Sequence, residues 1–352
     1  MISTKRSLVY LTVRWEGLKN KTTYLLILIS PFLAGGIAIF LGTYEISPIM
    51  ALKIIISEIL PIFRTNPDIP EKAIIFDIRL PRIVLAGLVG IALSGSGASL
   101  QGIFRNPLVD PFILGISAGA AFGCALCVGF LENVPIEIMA FIFSIIAVIL
   151  AYSMAKTKGE VAKLALILSG VITSAFFSAL VSIVKFLVDP HRLQSIVFWL
   201  MGSFSLADWQ KVRIAGIGII IGLLPIFFMR WRLNALSMGE EEARALGVNI
   251  KRERIIFIAG SSLAVSVAVS VTGIIGWVGL MAPHLVRMLI GPDHRQLIPL
   301  SMAGGATFMI FADTIARNLT GFDLPVGIIT AIIGAPFFIY LMRRGAKESW
   351  GR

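Results

Sequence analysis

Charged residues are scarce in this chain of 352 residues. Asp, Glu, Lys and Arg together make up 14% of it, against roughly a quarter in an average soluble domain. Hydrophobic residues make up 57%, and the mean hydropathy is +0.90. This composition excludes a soluble globular enzyme and a disordered chain. At about 20 apolar residues per bilayer-crossing helix, it provides material for about ten spans.

Cysteine and histidine are rare, and their spacing does not predict a metal site. Cys124 and Cys127 lie in an apolar run without the further ligands that zinc requires, so we interpret them as packing residues of a buried helix. His284 and His294 have no third ligand at a suitable spacing, and His191 is expected on the other side of the membrane. We therefore expect this chain to hold no metal and no cofactor.

The sequence also lacks the elements that would let the chain supply its own energy. The phosphate-binding loop G-x-x-x-x-G-K-[ST] is absent, because Gly-Lys does not occur. Only Asp313 lies well inside an apolar run, where Arg317 at i+4 can neutralise it. Without a carboxylate or histidine relay, proton-driven transport is disfavoured, while sodium coupling stays open. If ATP drives this protein, another subunit must bind it.

Ten apolar runs predict ten transmembrane helices and place both termini on one side. Cytoplasmic termini would put 21 of the 31 Lys and Arg residues inside, as the positive-inside rule requires, so nucleic acid is not needed to explain the net charge of +11. The predicted spans are 23–41, 82–103, 112–131, 136–154, 164–187, 213–230, 255–272, 275–290, 297–317 and 325–342.

Three connecting segments are long enough to have structure of their own. The outer segments 44–78 and 188–212 are expected to form helices along the outer surface. The inner loop 231–254 contains a short predicted helix, Ser237 to Gly247, in which Met238, Ala243 and Leu246 can share an apolar stripe. This pattern is typical of a partner-binding helix, and a merely solvated helix is the alternative.

A faint internal repeat links spans five helices apart. An offset of 172 pairs the second span with the seventh, for example Ser94 with Ser266, and Gly170-Val-Ile-Thr173 parallels Gly327-Ile-Ile-Thr330. A displacement by an odd number of helices would invert one half relative to the other, as in many transport proteins.

Several ordered motifs between about residue 24 and residue 344 resemble the signature of FecCD-type permeases. These permeases are the membrane subunits of binding-protein-dependent ABC importers for iron-siderophores, haem and cobalamin. The matching residues are Arg79-Leu-Pro-Arg82, Arg105-Asn-Pro-Leu108, Leu114-Gly115-Ile-Ser-Ala-Gly119, Gly276-Trp-Val-Gly-Leu280, Pro283-His284, Asp293-His-Arg295, Ala312-Asp313, Leu324-Pro-Val-Gly327 and Gly334-Ala-Pro336.

The resemblance implies an all-α integral membrane protein of the type II importer class, with residues 1–352 forming one permease domain. It implies a homodimer in the lipid of the cytoplasmic membrane, two cytoplasmic ATPase subunits that bind ATP and Mg, and an extracytoplasmic substrate-binding protein. The chain itself would be a transport subunit and not an enzyme. An intramembrane enzyme is opposed because H-E-x-x-H and paired aspartates are absent.

The resemblance also carries three sets of site residues. Arg79, Arg82 and Arg317 correspond to arginines that dock the binding protein, with headgroup contacts or an internal pair as the alternative. Gly239, Glu240, Ala243, Leu246 and Gly247 correspond to the helix that couples to the ATPase. Ser169, Thr173, Ser174, Ser178 and Thr330 correspond to the path wall, although such hydroxyls equally bond backbone carbonyls. The segment 159–164 occupies the position of the family's cytoplasmic gate.

Cargo is the least determined feature. An iron(III)-siderophore leads because it is the commonest cargo of the family, and cobalamin, haem or an oxyanion is the alternative. A gradient-driven secondary carrier is the alternative from a different class.

Overall fold

The protein is a bundle of α-helices. The computed structural model describes residues 2–59, 69–131, 133–157, 160–320 and 322–349. The helices are α1 (Ile2–Phe40), α2 (Pro48–Ile59), α3 (Ile69–Ala73), α4 (Leu80–Phe104), α5 (Ile116–Phe130), α6 (Ile136–Ala155), α7 (Lys163–Leu187), α8 (Pro190–Leu200), α9 (Trp209–Met238), α10 (Glu240–Ala245), α11 (Ile250–Thr272), α12 (Val278–Ile290), α13 (His294–Asn318) and α14 (Val326–Ser349). A π-helical segment, Ile74–Arg79, joins α3 to α4, and the strands β1 (Lys156–Thr157) and β2 (Glu160–Val161) pair in antiparallel orientation.

Each of the ten predicted spans falls on a helix. Within the described residues, seven helical stretches are long and apolar enough to cross a membrane, and the apolar helices 116–130, 278–290 and 326–340 are shorter. Two predicted starts were wrong: α5 begins at Ile116 instead of 112, and α12 at Val278 instead of 275. In both cases turn or extended backbone precedes the helix, which hydrophobicity alone does not reveal.

The sixth span is longer than predicted, so the inner loop is shorter. Helix α9 continues to Met238 because no residue between 230 and 238 breaks a helix. This last part of α9 carries charged side chains and lies beyond the apolar run from which the span was predicted. The predicted loop 231–254 therefore consists of the end of α9, the short helix α10, a turn and the start of α11.

Helices α4 and α11 form the centre of the bundle. In each, 78% of the most apolar stretch is buried within the chain. Helix α4 packs against α13, α9, α11 and α12. Close approach requires small residues: a Cβ on Gly97 would lie 2.0 Å from the carbonyl oxygen of Gly279, and one on Gly90 would lie 2.3 Å from that of Gly305. Helices α4 and α11 contain the second and seventh spans, which the internal repeat pairs, and their equal burial agrees with that pairing. The inversion of one half of the chain relative to the other stays a prediction.

Helices α1, α7, α9 and α14 form the periphery. Their outward faces carry large apolar side chains, including Phe32, which is 80% exposed, and Phe186, which is 88% exposed. Exposed apolar faces of this length have to be covered by lipid or by another protein chain.

The predicted surface helices of the outer segments are confirmed where they are described. Helix α2 buries Ala51 and Ile54 against Ile75. Helix α8 is capped by Asp189, the residue before its first turn, whose carboxylate accepts hydrogen bonds from two backbone amides of that turn. Residues 60–68 of the segment 44–78, residue 158, and residue 159, the first of the predicted gate segment 159–164, lie outside the described residues.

Candidate functional site

A cluster of charged side chains joins α4 to α13 at the predicted outer end of the bundle. The Arg82 guanidinium lies 2.9 Å from the Asp313 carboxylate and 2.9 Å from that of Asp323. Arg317 approaches the other oxygen of Asp313 at 3.9 Å and donates a hydrogen bond to the Ala38 carbonyl at 2.6 Å. Because Arg82 and Asp313 are both buried, the pair is shielded from water and connects two helices far apart in sequence.

Arg79 has a different set of internal partners. Its guanidinium donates hydrogen bonds to the carbonyl oxygens of Ile39 and Tyr44, at and just beyond the end of α1. The Ile39 carbonyl is among the last four of α1, which a helix leaves without an intrahelical partner, and the Tyr44 carbonyl belongs to the segment that follows the helix. Arg79 therefore caps α1 from the π-helical segment.

The three arginines expected to dock a binding protein are all buried in this structure. Arg79, Arg82 and Arg317 are only 3%, 6% and 5% exposed. The internal pair of Arg317 with Asp313, which the sequence left as the alternative, is present, but Arg82 is the closer partner of that carboxylate. Docking by these side chains stays a prediction, and it would require their present contacts to be exchanged.

The side chains expected to line a path differ in exposure. Ser169 and Thr173 are buried on the face of α7 that meets α5, where Thr173 lies against Gly115. Ser174 is partly buried and Ser178 is exposed. Thr330 is fully buried and donates a hydrogen bond to the Gly327 carbonyl at 3.0 Å. In the single chain, therefore, only Ser178 of this set lies on an open face, and the others contact their own bundle.

The predicted short helix is present as α10, but it begins at Glu240 and not at Ser237, because Ser237 and Met238 belong to α9. Gly239 separates it from α9, three glutamates form its first turn, and Gly247 follows it with a φ of +76°, a conformation that favours glycine. The predicted apolar stripe is wrong, because Ala243 is fully buried whereas Met238 and Leu246 are 67% and 64% exposed. The buried alanine fixes the helix to the bundle, and the two exposed apolar side chains remain available to a partner.

Electrostatic contacts hold α10 against α11. Glu240 forms an ion pair with Arg254. Although burial acts to raise it, this pair and the charges of Lys163 and Arg244 hold the pKa of Glu240 below its ordinary value. Glu240 is therefore ionised at neutral pH and attached to the chain itself, which leaves Glu241 and Glu242 as the exposed acids of α10.

Asp323 was not singled out from the sequence, and Trp277 was named only within a family motif. Asp323 lies in a loop, where an acidic residue carries no signal of pairing. Trp277, at the start of α12, has a φ of +74°, which is unusual for a bulky residue, and its ring packs against Phe338 of α14 at 5.9 Å. Strained backbone of this kind concentrates at functional positions, and only the three-dimensional structure reveals it.

Comparisons with known proteins agree across the whole chain. The profile of the FecCD transport family matches residues 25–344. A Helicobacter pylori protein named "Probable iron chelatin transport system permease protein" is 46% identical over 283 residues, which cover 80% of this chain and 86% of that protein. The molybdate import system permease protein MolB of Haemophilus influenzae is 41% identical and covers 92% of this chain and 96% of its own length.

A solved structure has the same fold. It shows an inward-facing conformation of a transporter provisionally assigned to the metal-chelate type of ABC transporters. The TM-score is 0.80 at 37% sequence identity, and the match covers 92% of this chain and 99% of that one.

Proposed function

Because this chain belongs to the FecCD transport family and is an ABC importer permease, we propose that it carries a metal chelate, first an iron(III)-siderophore complex, across the cytoplasmic membrane. The observation that carries this proposal is the match over almost the full length of both chains to a metal-chelate type transporter. The 46% identity to a relative named for iron chelatin transport supports iron as the metal.

The alternative cargoes are an oxyanion, cobalamin and haem. Molybdate has a specific observation in its favour, because a relative named for molybdate import is 41% identical over 92% of this chain. The side chains of the predicted path do not separate these cargoes. As the wall of an opened path, these hydroxyls and small apolar groups would form a weakly polar surface, which suits a channel whose selectivity resides in a separate binding protein.

The proposed assembly contains two copies of this chain, two ATPase subunits and a binding protein. The exposed apolar face of α7, with Val171 and Ile172 both more than half exposed, fits a contact between copies around a shared path. ATP and Mg would be bound by the ATPase subunits, since the chain has no phosphate-binding loop. The positive-inside distribution supports cytoplasmic termini, which places α10 on the ATPase side.

Coupling would proceed through α10. The Glu240–Arg254 pair attaches it to α11 and Ala243 is buried in the bundle, so a force on α10 would act on the central helix α11. Closure of the ATPase dimer would then change the packing of α11 against α4 and open or close the path.

The cargo proposal is tested by transport into proteoliposomes. The permease is purified with the ATPase and binding protein encoded beside it, and uptake of labelled ferric siderophore, cobalamin and molybdate is compared with and without ATP. We expect ATP-dependent uptake of the ferric siderophore alone. Uptake of molybdate or cobalamin would overturn the assignment of a ferric siderophore as the cargo. Uptake without ATP or without the ATPase would overturn the ATP-driven import mechanism.

Leu246→Glu is expected to uncouple the permease from its ATPase. Leu246 is 64% exposed at the end of α10, so the substitution leaves the core intact but places an unpaired carboxylate in the proposed contact. Loss of one central interface residue weakens binding by about tenfold or more. The measurement is ATPase association with the purified permease, together with ATP-driven uptake.

The matched control is Leu206→Glu. Leu206 is 76% exposed on the predicted outer side, so it tests the same chemical change away from α10. ATPase association should be unchanged in this control. Equal association in both variants would show that Leu246 does not contact the ATPase.

A further inference from the structure

A half-open cavity of about 610 Å³ lies beside α10. Its size is within the range of ordinary small-molecule sites. It is formed where the end of α4, the end of α6, the start of α7, α10 and the start of α11 meet. The lining residues are Ile103, Phe104, Tyr152, Ala155, Ala162, Lys163, Leu166, Glu240, Arg244, Ile250, Lys251, Arg254 and Ile258.

The polar part of the cavity is strongly cationic. Four lining side chains are basic, Lys163, Arg244, Lys251 and Arg254, and one is acidic. That acid, Glu240, is paired with Arg254. Among the side chains that the structure describes, no carboxylate lies within ion-pair distance of the other three basic groups. The cavity therefore has three positive charges in excess, and an anion would neutralise them.

The rest of the lining is apolar. Phe104, Leu166 and Ile258 are buried in the helices that form the cavity wall, and Tyr152 adds a ring at its side. A small inorganic anion would leave this apolar surface in contact with water. A molecule with an anionic group and an apolar body satisfies both parts of the lining.

The position of the cavity agrees with a lipid ligand. Lys163 is the first residue of α7 and Lys251 lies in the first turn of α11, and both helices are long and apolar enough to cross a membrane. The basic side chains therefore lie at the ends of two spans, at the depth of lipid headgroups. Leu164 and Leu168, which follow Lys163 on α7, are 68% and 53% exposed and continue the apolar surface along the span. Basic pockets between membrane helices on the cytoplasmic side bind anionic headgroups.

We propose that this cavity binds an anionic phospholipid, with its phosphate among Lys163, Arg244 and Lys251 and its glycerol and upper acyl carbons against the apolar wall. The side of the membrane rests on the proposed orientation, whereas the ligand chemistry rests on the lining residues. The bound lipid would connect the start of α7 to α10 and α11. It would thereby stabilise the position of the helix that receives the ATPase.

The test measures lipid retention on the purified permease. The detergent-solubilised protein is incubated with phosphatidylglycerol, cardiolipin or phosphatidylcholine, and bound lipid is counted by native mass spectrometry. We expect retention of the two anionic lipids but not of phosphatidylcholine. The double variant Lys163→Gln/Lys251→Gln should retain anionic lipid about 25-fold less, at roughly a factor of five for each of the two lost cations.

A matched variant, Lys185→Gln/Arg252→Gln, controls for net charge. It removes one cation from α7 and one from α11, as the test variant does, but neither residue lines the cavity. Retention should match the unmodified protein. Equal loss in both variants, or retention of phosphatidylcholine, would overturn the proposal.

Two further arms separate a lipid from other anions. Inorganic phosphate and glycerol 3-phosphate are added in excess to the lipid-loaded protein. Displacement of the bound lipid at low millimolar concentration would identify a soluble phosphate compound as the ligand and overturn the proposal of a lipid. If the test variant loses ATPase binding but keeps its lipid, Lys163 and Lys251 contact the ATPase and not a lipid, which would also overturn the proposal. Retention needs no ATPase and no cargo, so its result is independent of the uptake experiment.

Discussion

Asp313→Asn is expected to lower the free energy of unfolding by about 3–5 kcal/mol, the cost of breaking a buried ion pair from one side. Asp313 is 1% exposed and lies between Arg82 and Arg317. The neutral amide would leave two buried guanidinium groups with one carboxylate, Asp323, to balance them. The loss is measured by chemical unfolding of the purified protein in detergent.

Asp323→Asn is the control for this prediction. Its carboxylate also contacts Arg82 at 2.9 Å, but the side chain is 38% exposed, so water screens the pair and compensates the loss. We expect a cost of about 1 kcal/mol or less. If the two substitutions cost the same, the burial of Asp313 does not determine the strength of the cluster.

Gly97→Ala is the second substitution with a large expected effect. A Cβ at Gly97 would lie 2.0 Å from the carbonyl oxygen of Gly279, so α4 and α12 would have to separate. Backbone atoms cannot rotate away as a side chain can, and overpacking of this kind costs about 3 kcal/mol, the upper end of its usual range. The expected result is a lower unfolding free energy and a lower melting temperature.

Gly36→Ala tests the same change at a position without a neighbour. No atom lies within 4 Å of a Cβ built at Gly36, on the exposed side of α1. Alanine should stabilise the helix there by about 0.5–1 kcal/mol, because it loses less conformational entropy than glycine. The two substitutions are thus expected to differ in sign. Destabilisation by both would indicate a general intolerance of α-helical glycine replacement.

The helices and their order could be predicted because a membrane span needs a long apolar run, which is a local property of the sequence. Helix α10 could be predicted for a similar reason, since its acidic first turn and Gly247 are local signals. Its orientation could not. Whether Ala243 or Leu246 faces the bundle depends on where α9 ends, and α9 continues beyond its apolar part.

The charged cluster shows the limit of local patterns more clearly. The Asp313–Arg317 contact follows from i,i+4 spacing, but the closer partner of Asp313 is Arg82, 231 positions earlier in the chain. The cationic cavity likewise combines Lys163 of α7 with Arg244 of α10 and Lys251 of α11, which only the tertiary arrangement of these helices around one cavity brings together. No periodicity in the sequence connects these residues.

The sequence by itself determined the class of this protein: a multi-span membrane subunit without its own phosphate-binding loop, carrying the FecCD motifs in order. The length of an apolar run and the order of the motifs are properties of the linear sequence, so they can be determined without a structure. The tertiary structure decided which polar groups are available. It buries Arg79, Arg82 and Arg317 in internal contacts and leaves Lys163, Arg244 and Lys251 around an open cavity, because helix packing, and not residue type, decides which charges find partners within the chain.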